Sequence, residues 1–288
     1  MKKVLLATSA LVASAGIASA DITLTGGADF GIKDSGVAST NAYVHSELDF
    51  NIVASTTTDN GYTIGASLDI DDDSTGSTSG LIEDEEIFIS GPFGTITTGD
   101  VAHAADKHGL ADVGFDSIGV DDDIEALDFR GTADINYSTT VNDMAITLSY
   151  NMGQSATADG DEGDWGAFVS FDAGNGFGVT ASYTVDDSAA ASADAAYALG
   201  LSYDLEGITL NAYFADNETY GGSGFSASYA VDANTTITGV YASTDQSGDE
   251  SDFGIGFKTN LGGGVSLAGG IGEVDNNTVT DLGFNVAF

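Results

Sequence analysis

The residues whose types and spacing bear on chemistry are three histidines, several carboxylate runs and one long acidic stretch. His45, His103 and His108 are the only histidines. None lies in an H-E-x-x-H pair, and no G-x-S-x-G elbow is present. Gly221-Gly222-Ser223-Gly224 does not join a strand to a helix, so it implies no phosphate cradle. With no cysteine, a thiolate nucleophile, a thiolate zinc site and a disulfide framework are excluded together. Catalysis is not expected. What remains is oxygen chemistry, in Asp71-Asp72-Asp73, Asp121-Asp122-Asp123 and Asp159-Gly160-Asp161-Glu162-Gly163-Asp164. Adjacent carboxylates repel unless water or a divalent cation separates them. Asp121, Asp122, Asp123, Asp159, Asp161 and Asp164 are therefore candidate Ca2+ ligands, for a structural ion and not a required cofactor. None has EF-hand spacing, and solvated loops are the simpler account of any one run.

These side chains must be positioned by strands. Ile22, Leu24, Ala28, Phe30 and Ile32 share one parity, while Thr23, Thr25, Asp29 and Lys33 share the other. Val44, Leu48, Phe50 and Ile52 likewise oppose His45, Glu47, Asp49 and Asn51, and the pattern continues along the chain. Period two with one apolar face is the signal of a half-buried strand. Tight turns are expected at Asp59–Gly61, Gly91–Gly94, Asn142-Asp143, Gly174–Gly176, Glu206-Gly207, Asp232–Asn234 and Gly262–Gly264. Longer connections are expected near 34–41, 71–82, 101–129, 153–164, 186–194, 216–222, 245–251 and 273–279. Seven tight turns and eight longer loops separate sixteen strands.

The chain has 288 residues, with 6 Lys+Arg against 45 Asp+Glu. Clustered cations are needed to bind phosphate backbones, so nucleic acid is excluded as a partner. Met1-Lys2-Lys3, an apolar Ala-rich run and Ala18-Ser19-Ala20 read as a secretory signal peptide, residues 1–20. The mature chain, 21–288, keeps Lys33, Lys107, Arg130 and Lys258 against all 45 carboxylates, a charge of −41. No later run is long and apolar enough for a transmembrane helix, but a spanning strand needs only about 9–11 alternating residues. An even strand number, with short turns at one end and long loops at the other, predicts an all-β, antiparallel transmembrane barrel. Short turns would face the periplasm and long loops the exterior. Sixteen strands leave an aqueous lumen. Aromatic residues near strand ends, such as Tyr150, Phe171, Phe177, Tyr183, Tyr229 and Phe253, fit interfacial girdles.

The last segment, Thr280–Phe288, places Leu282, Phe284, Val286 and Phe288 on the apolar parity and stops on an aromatic residue. It resembles the terminal signature of outer-membrane barrels. Asp21-Ile22-Thr23-Leu24-Thr25-Gly26, the hairpin Ile89–Asp100 and the segment Arg130–Tyr137 are similar, in that order, to motifs of the general diffusion porins of α-proteobacteria. One position departs: Asp100 stands where that hairpin carries a basic residue. The resemblance implies that 101–129 folds into the barrel as a constriction loop. It also implies a homotrimer, embedded in outer-membrane lipid with lipopolysaccharide around it.

The pore-lining candidates follow from loop and parity together. Asp106, Asp112, Asp116, Asp121, Asp122, Asp123 and Glu125 lie on the long connection; Lys33, His45 and Arg130 take the inward parity of strands. With so large an acidic excess, cations should be enriched in the lumen and anions depleted. The expected function is a water-filled, cation-preferring channel for passive diffusion of ions and small hydrophilic solutes. An exported calcium-binding structural or adhesive β-protein is the alternative.

Overall fold

The computed structural model describes residues 20–37, 42–73, 83–128, 131–152, 163–185, 195–246 and 251–288. Their alternating sequence forms sixteen strands. In chain order these are β1 (Asp21–Asp34), β2 (Tyr43–Thr57), β3 (Thr63–Asp73), β4 (Glu83–Gly91), β5 (Gly94–Ala102), β6 (Thr132–Val141), β7 (Met144–Tyr150) and β8 (Trp165–Asp172). They continue as β9 (Phe177–Val185), β10 (Ala195–Leu205), β11 (Ile208–Asp216), β12 (Gly221–Ala230), β13 (Thr235–Thr244), β14 (Asp252–Gly262), β15 (Val265–Val274) and β16 (Asn277–Ala287). Each pairs antiparallel with its neighbours, and β1 pairs with β16, closing the barrel. Closure removes both sheet edges, which a bilayer requires. At the seam, Gly26 and the terminal Phe288 exchange two backbone hydrogen bonds of 2.9 Å.

Parity decides between a barrel and a sandwich. A sandwich buries its apolar face, but here Val44 is 73% and Ile22 70% exposed, and Leu24, Ile87, Tyr197, Phe225, Ile255 and Leu282 are also exposed. So continuous an apolar exterior is stable only against lipid. Near the external ends, Tyr183 lies opposite Tyr197, and Tyr241 opposite both Phe225 and Phe253. Near the short turns, Phe177 lies opposite Tyr203. The two aromatic levels mark the two interfaces.

The short turns fall where glycine, asparagine and aspartate marked them. Asn142 and Asn175 adopt positive φ of 56°, and the Asp232 carboxylate accepts from the Asn234 and Thr235 amides at 2.8 and 2.9 Å. The amide of Asn234, then that of Thr235, holds the Asp232 carboxyl below its ordinary range. Two expected long connections are short. Asn217–Tyr220 alone separate β11 from β12, and β15 and β16 pair out to Val274 and Asn277 around Asp275-Asn276. Both turn residues there take positive φ, 50° and 62°, the pair a two-residue primed turn demands. Segment 186–194 lies outside the described residues.

The segment after β5 does not stay at the rim. It runs through a 3-10 turn (Ala104–Lys107), a single helical turn (Asp122–Glu125) and a second 3-10 turn (Ala126–Asp128). Its apolar residues Val113, Phe115, Val120, Ile124 and Leu127 are buried against the inner wall. Inward-facing glycines make the sockets. A Cβ on Gly270 would lie 2.8 Å from Val113, and one on Gly254 3.0 Å from both Ile118 and Val120. Phe115 occupies the same kind of space over Gly31 and Gly283. The apolar interior of this barrel is the seat of its loop.

Candidate pore constriction

Polar groups of the wall fix the loop at three places. On β16, Asp281 accepts from the amides of Phe115 (2.8 Å) and Asp116 (3.3 Å), and from Gly270 on β15 (2.7 Å). Asn285, four residues on and therefore on the same face, donates to the Phe115 carbonyl at 2.6 Å. In the middle, Ala111 donates to Ser226 of β12, and Glu125 accepts from the Leu110 amide at 2.7 Å. At the far end Asp128, wholly buried, accepts from the Tyr213 hydroxyl at 2.8 Å. His108 Nε2 lies 3.5 Å from the same carboxylate and 2.9 Å from Ser182. Buried polar groups paired in this way set one loop conformation. His103 is buried beside Gly166, and that burial pushes its imidazole below the ordinary range.

The tip of the loop crosses to β1 and β2. Lys33 Nζ reaches the Asp116 carboxylate at 2.6 Å and its carbonyl at 2.8 Å. His45 Nε2 lies 3.2 Å from Asp116 and 3.5 Å from Glu47. Lys33 and His45 thus meet the loop through one aspartate. The remaining candidates separate. Asp112 is exposed and lines a cavity of about 830 Å3 with Asp116, Thr236, Thr238 and Lys258. Asp122 is exposed and lines another of about 440 Å3 that reaches Lys33 and Tyr43. Asp121 is buried, and that burial, reinforced by Asp112, pushes its carboxyl up to about 6. Arg130 lies outside the described residues.

The loop packs along β7–β13, fills glycine sockets of β14 and β15, is tied to β16 and reaches β1 and the start of β2 through Asp116, so the open side of the lumen faces the rest of β2 and β3–β6. There Asp69, Glu86, Asp100 and Asp106 line a cavity of about 500 Å3 with Asn51 and Ser67. Asp106 alone of these was singled out as pore-lining from the sequence. Strand parity already placed Asp69 on the polar face, but nothing in the sequence showed which part of the wall stays uncovered.

The acidic runs do not each converge on a point. Asp121 and Asp122 diverge, one buried and one exposed, while Asp123 comes together with Asp252 and Asp275. Asp159 and Asp161 lie outside the described residues. Asp164 is held near Asn151 by backbone pairing at 2.8 Å.

A closed, lipid-facing barrel of sixteen strands with a polar loop folded across its water-filled interior defines a membrane diffusion channel. The chain belongs to the Gram-negative porin family, whose family model matches residues 7–279. It is 29% identical over 293 residues to a porin of Rhodobacter capsulatus, covering 81% of this chain and 89% of that one. It is 26% identical over 299 residues to a porin of Fuscovulum blasticum, covering 93% and 100%. The fold matches a mutant of Rh. blastica porin with a TM-score of 0.80 at 22% identity, covering 93% of this chain and 100% of that one. It is an outer-membrane channel protein and not an enzyme.

Proposed function

We propose that this porin conducts cations in preference to anions and passes small hydrophilic solutes passively through the gap between its loop and the β2–β6 wall. One observation carries the reading. The uncovered side of the lumen presents Asp69, Glu86, Asp100 and Asp106 together. Of the described inward-facing cations, Lys33 is neutralised by Asp116 and Lys258 lines the separate cavity beside Asp112. Carboxylates in a narrow, low-dielectric channel act more strongly than on an open surface, and salt screens them over about 8–10 Å. Cations are concentrated there and anions repelled.

The reading includes a homotrimer in outer-membrane lipid and lipopolysaccharide. Small outward residues such as Ala227 and Gly239, directly opposed across β12 and β13, give flat surface on which a second copy packs. Conduction needs no cofactor. A structural Ca2+ on the external loops is a separate proposal, tested by whether EGTA lowers the temperature of the barrel's thermal transition.

Selectivity is tested by neutralising Asp69, Asp100 and Asp106 to Asn and Glu86 to Gln. Reversal potentials in a KCl gradient should fall by at least half. Four matched substitutions at exposed external carboxylates should move them little, and equal shifts in the two sets would refute the assignment.

A further inference from the structure

His45 is unusual among the polar groups of the inner wall. It is only 5% exposed, and its Nε2 is buried without a hydrogen-bond partner. Yet two carboxylate oxygens stand close to that nitrogen, Asp116 Oδ2 at 3.2 Å and Glu47 Oε2 at 3.5 Å. An imidazole N–H aimed at either oxygen would make a strong charge-assisted bond. Here the nitrogen points at neither. Donor atoms that are near one another but not aligned on one another are arranged for a common centre.

The three ligand atoms lie within 4.8 Å of one another. In a tetrahedral zinc site with bonds of about 2.0–2.1 Å, ligand atoms are separated by about 3.3–3.4 Å. The two distances at His45 bracket that spacing. The donor set also discriminates between ions. Ca2+ and Mg2+ take oxygen almost exclusively, whereas an imidazole with two carboxylates suits Zn2+, Ni2+ or Cu2+. Three protein ligands leave a position for water, and both carboxylate side chains are partly exposed, so the site opens toward the lumen.

We propose that His45, Glu47 and Asp116 bind a transition-metal dication, with Zn2+ as its representative, and that the bound ion inhibits conduction. The proposal rests on the channel reading above only for its effect, not for the binding itself. Asp116 belongs to the loop and His45 and Glu47 to β2, so the ion clamps loop to wall. It also places two positive charges, with their hydration, beside the Asp29, Asp49 and Asp71 carboxylates that line the same face of β1–β3. A cation-attracting wall is thereby neutralised at its narrow point. Lys33 Nζ bonds the same oxygen, Asp116 Oδ2, at 2.6 Å, so the ion displaces the ammonium from that oxygen onto the Asp116 carbonyl, which already accepts from it at 2.8 Å.

The test uses single-channel currents of the purified, bilayer-reconstituted protein, each variant referred to its own metal-free current. Micromolar ZnCl2 should lower the conductance reversibly to EDTA, while MgCl2 at the same concentration does not. His45→Gln should raise the half-blocking Zn2+ concentration at least tenfold, and Glu47→Gln several-fold. Zn2+ without effect at 1 mM, or equal block of the His45→Gln protein, overturns the proposal. Cu2+ titration of the unaltered protein followed by electron paramagnetic resonance gives a readout independent of conduction and of variant folding. Coupling to one nitrogen supports the site, and oxygen-only coordination overturns it. Absence of any metal-free conductance would instead refute the channel reading, and the copper spectrum would still decide the site.

Discussion

Asp121 and Asp281 show how single carboxylates govern the loop in opposite ways. Burial and its acidic neighbours push Asp121 up to about 6 from 3.8. Below about pH 4 both the seated and the released loop hold the proton, and the group costs nothing. As pH rises from about 4 to about 6 the released state loses its proton first, and the seat weakens. Above that window the penalty is constant, on the order of 3 kcal/mol for a two-unit shift. Asp121→Asn should therefore slow amide exchange of the loop at pH 7.5 and leave it unchanged at pH 3.5, after correction for intrinsic rates. Asp281 works the other way, since it satisfies three amides at once. Asp281→Ala should destabilise the seat by about 2–6 kcal/mol, as the two loop amides left unpaired in a buried setting cost roughly 1–3 kcal/mol each. The check is a rise in open-channel current noise and in protease cleavage within the loop. Inward parity made Asp281 legible as a lumen residue. Its partnership with residues 115 and 116 was not legible, because no local pattern links positions so distant in sequence.

At the scale of elements, the strands were readable because the bilayer imposes a period-two code on every one of them. The loop was not, and the reason is physical. Val113, Phe115, Ile118, Val120 and Ile124 follow neither a helical nor a strand period, since each fills a socket set by glycines of the wall: Val113, Ile118 and Val120 over β14 and β15, Phe115 over β1 and β16, and Ile124 over β12. The sockets are glycines at inward parity, such as Gly254, Gly256, Gly270 and Gly272, which read in sequence only as weak strand residues. Filling one should expel the loop without opening the barrel. For Gly270→Val, we expect normal heat-modifiable migration in the gel but a larger conductance step, because Val113 has no room. An unchanged step would show that the loop does not set the pore's width. The two connections read as long, 216–222 and 273–279, illustrate a further limit. Their polar residues look like loop but are Asn217–Tyr220 and an Asp275-Asn276 turn, and acidic composition does not measure length.

For the whole molecule, the β1–β16 seam closes the barrel, and Phe288 adds one pair to it. Phe288 exchanges two backbone bonds with Gly26, and its ring, 60% exposed, lies 5.6 Å from that of Phe50. So exposed a ring adds little packing energy, yet deleting it removes the final pairing of the seam. We expect deletion of Phe288 to lower the folded barrel recovered from outer membranes several-fold, measured by heat-modifiable migration. Barrel, strand count and inward loop were legible from the chain's alternation, turns and motifs. The side of the lumen left uncovered depends on how the loop lies, which only three dimensions provide. In the proposed reading the acidic excess of the chain, 45 Asp+Glu against 6 Lys+Arg, acts through that uncovered side. The zero-current potential of the unaltered protein across a tenfold KCl gradient tests this most directly. Ideal selectivity gives about 59 mV per tenfold gradient for a monovalent ion. We predict a potential of the cation-selective sign and more than half that size, and a value near zero or of the opposite sign would contradict a lumen governed by its carboxylates.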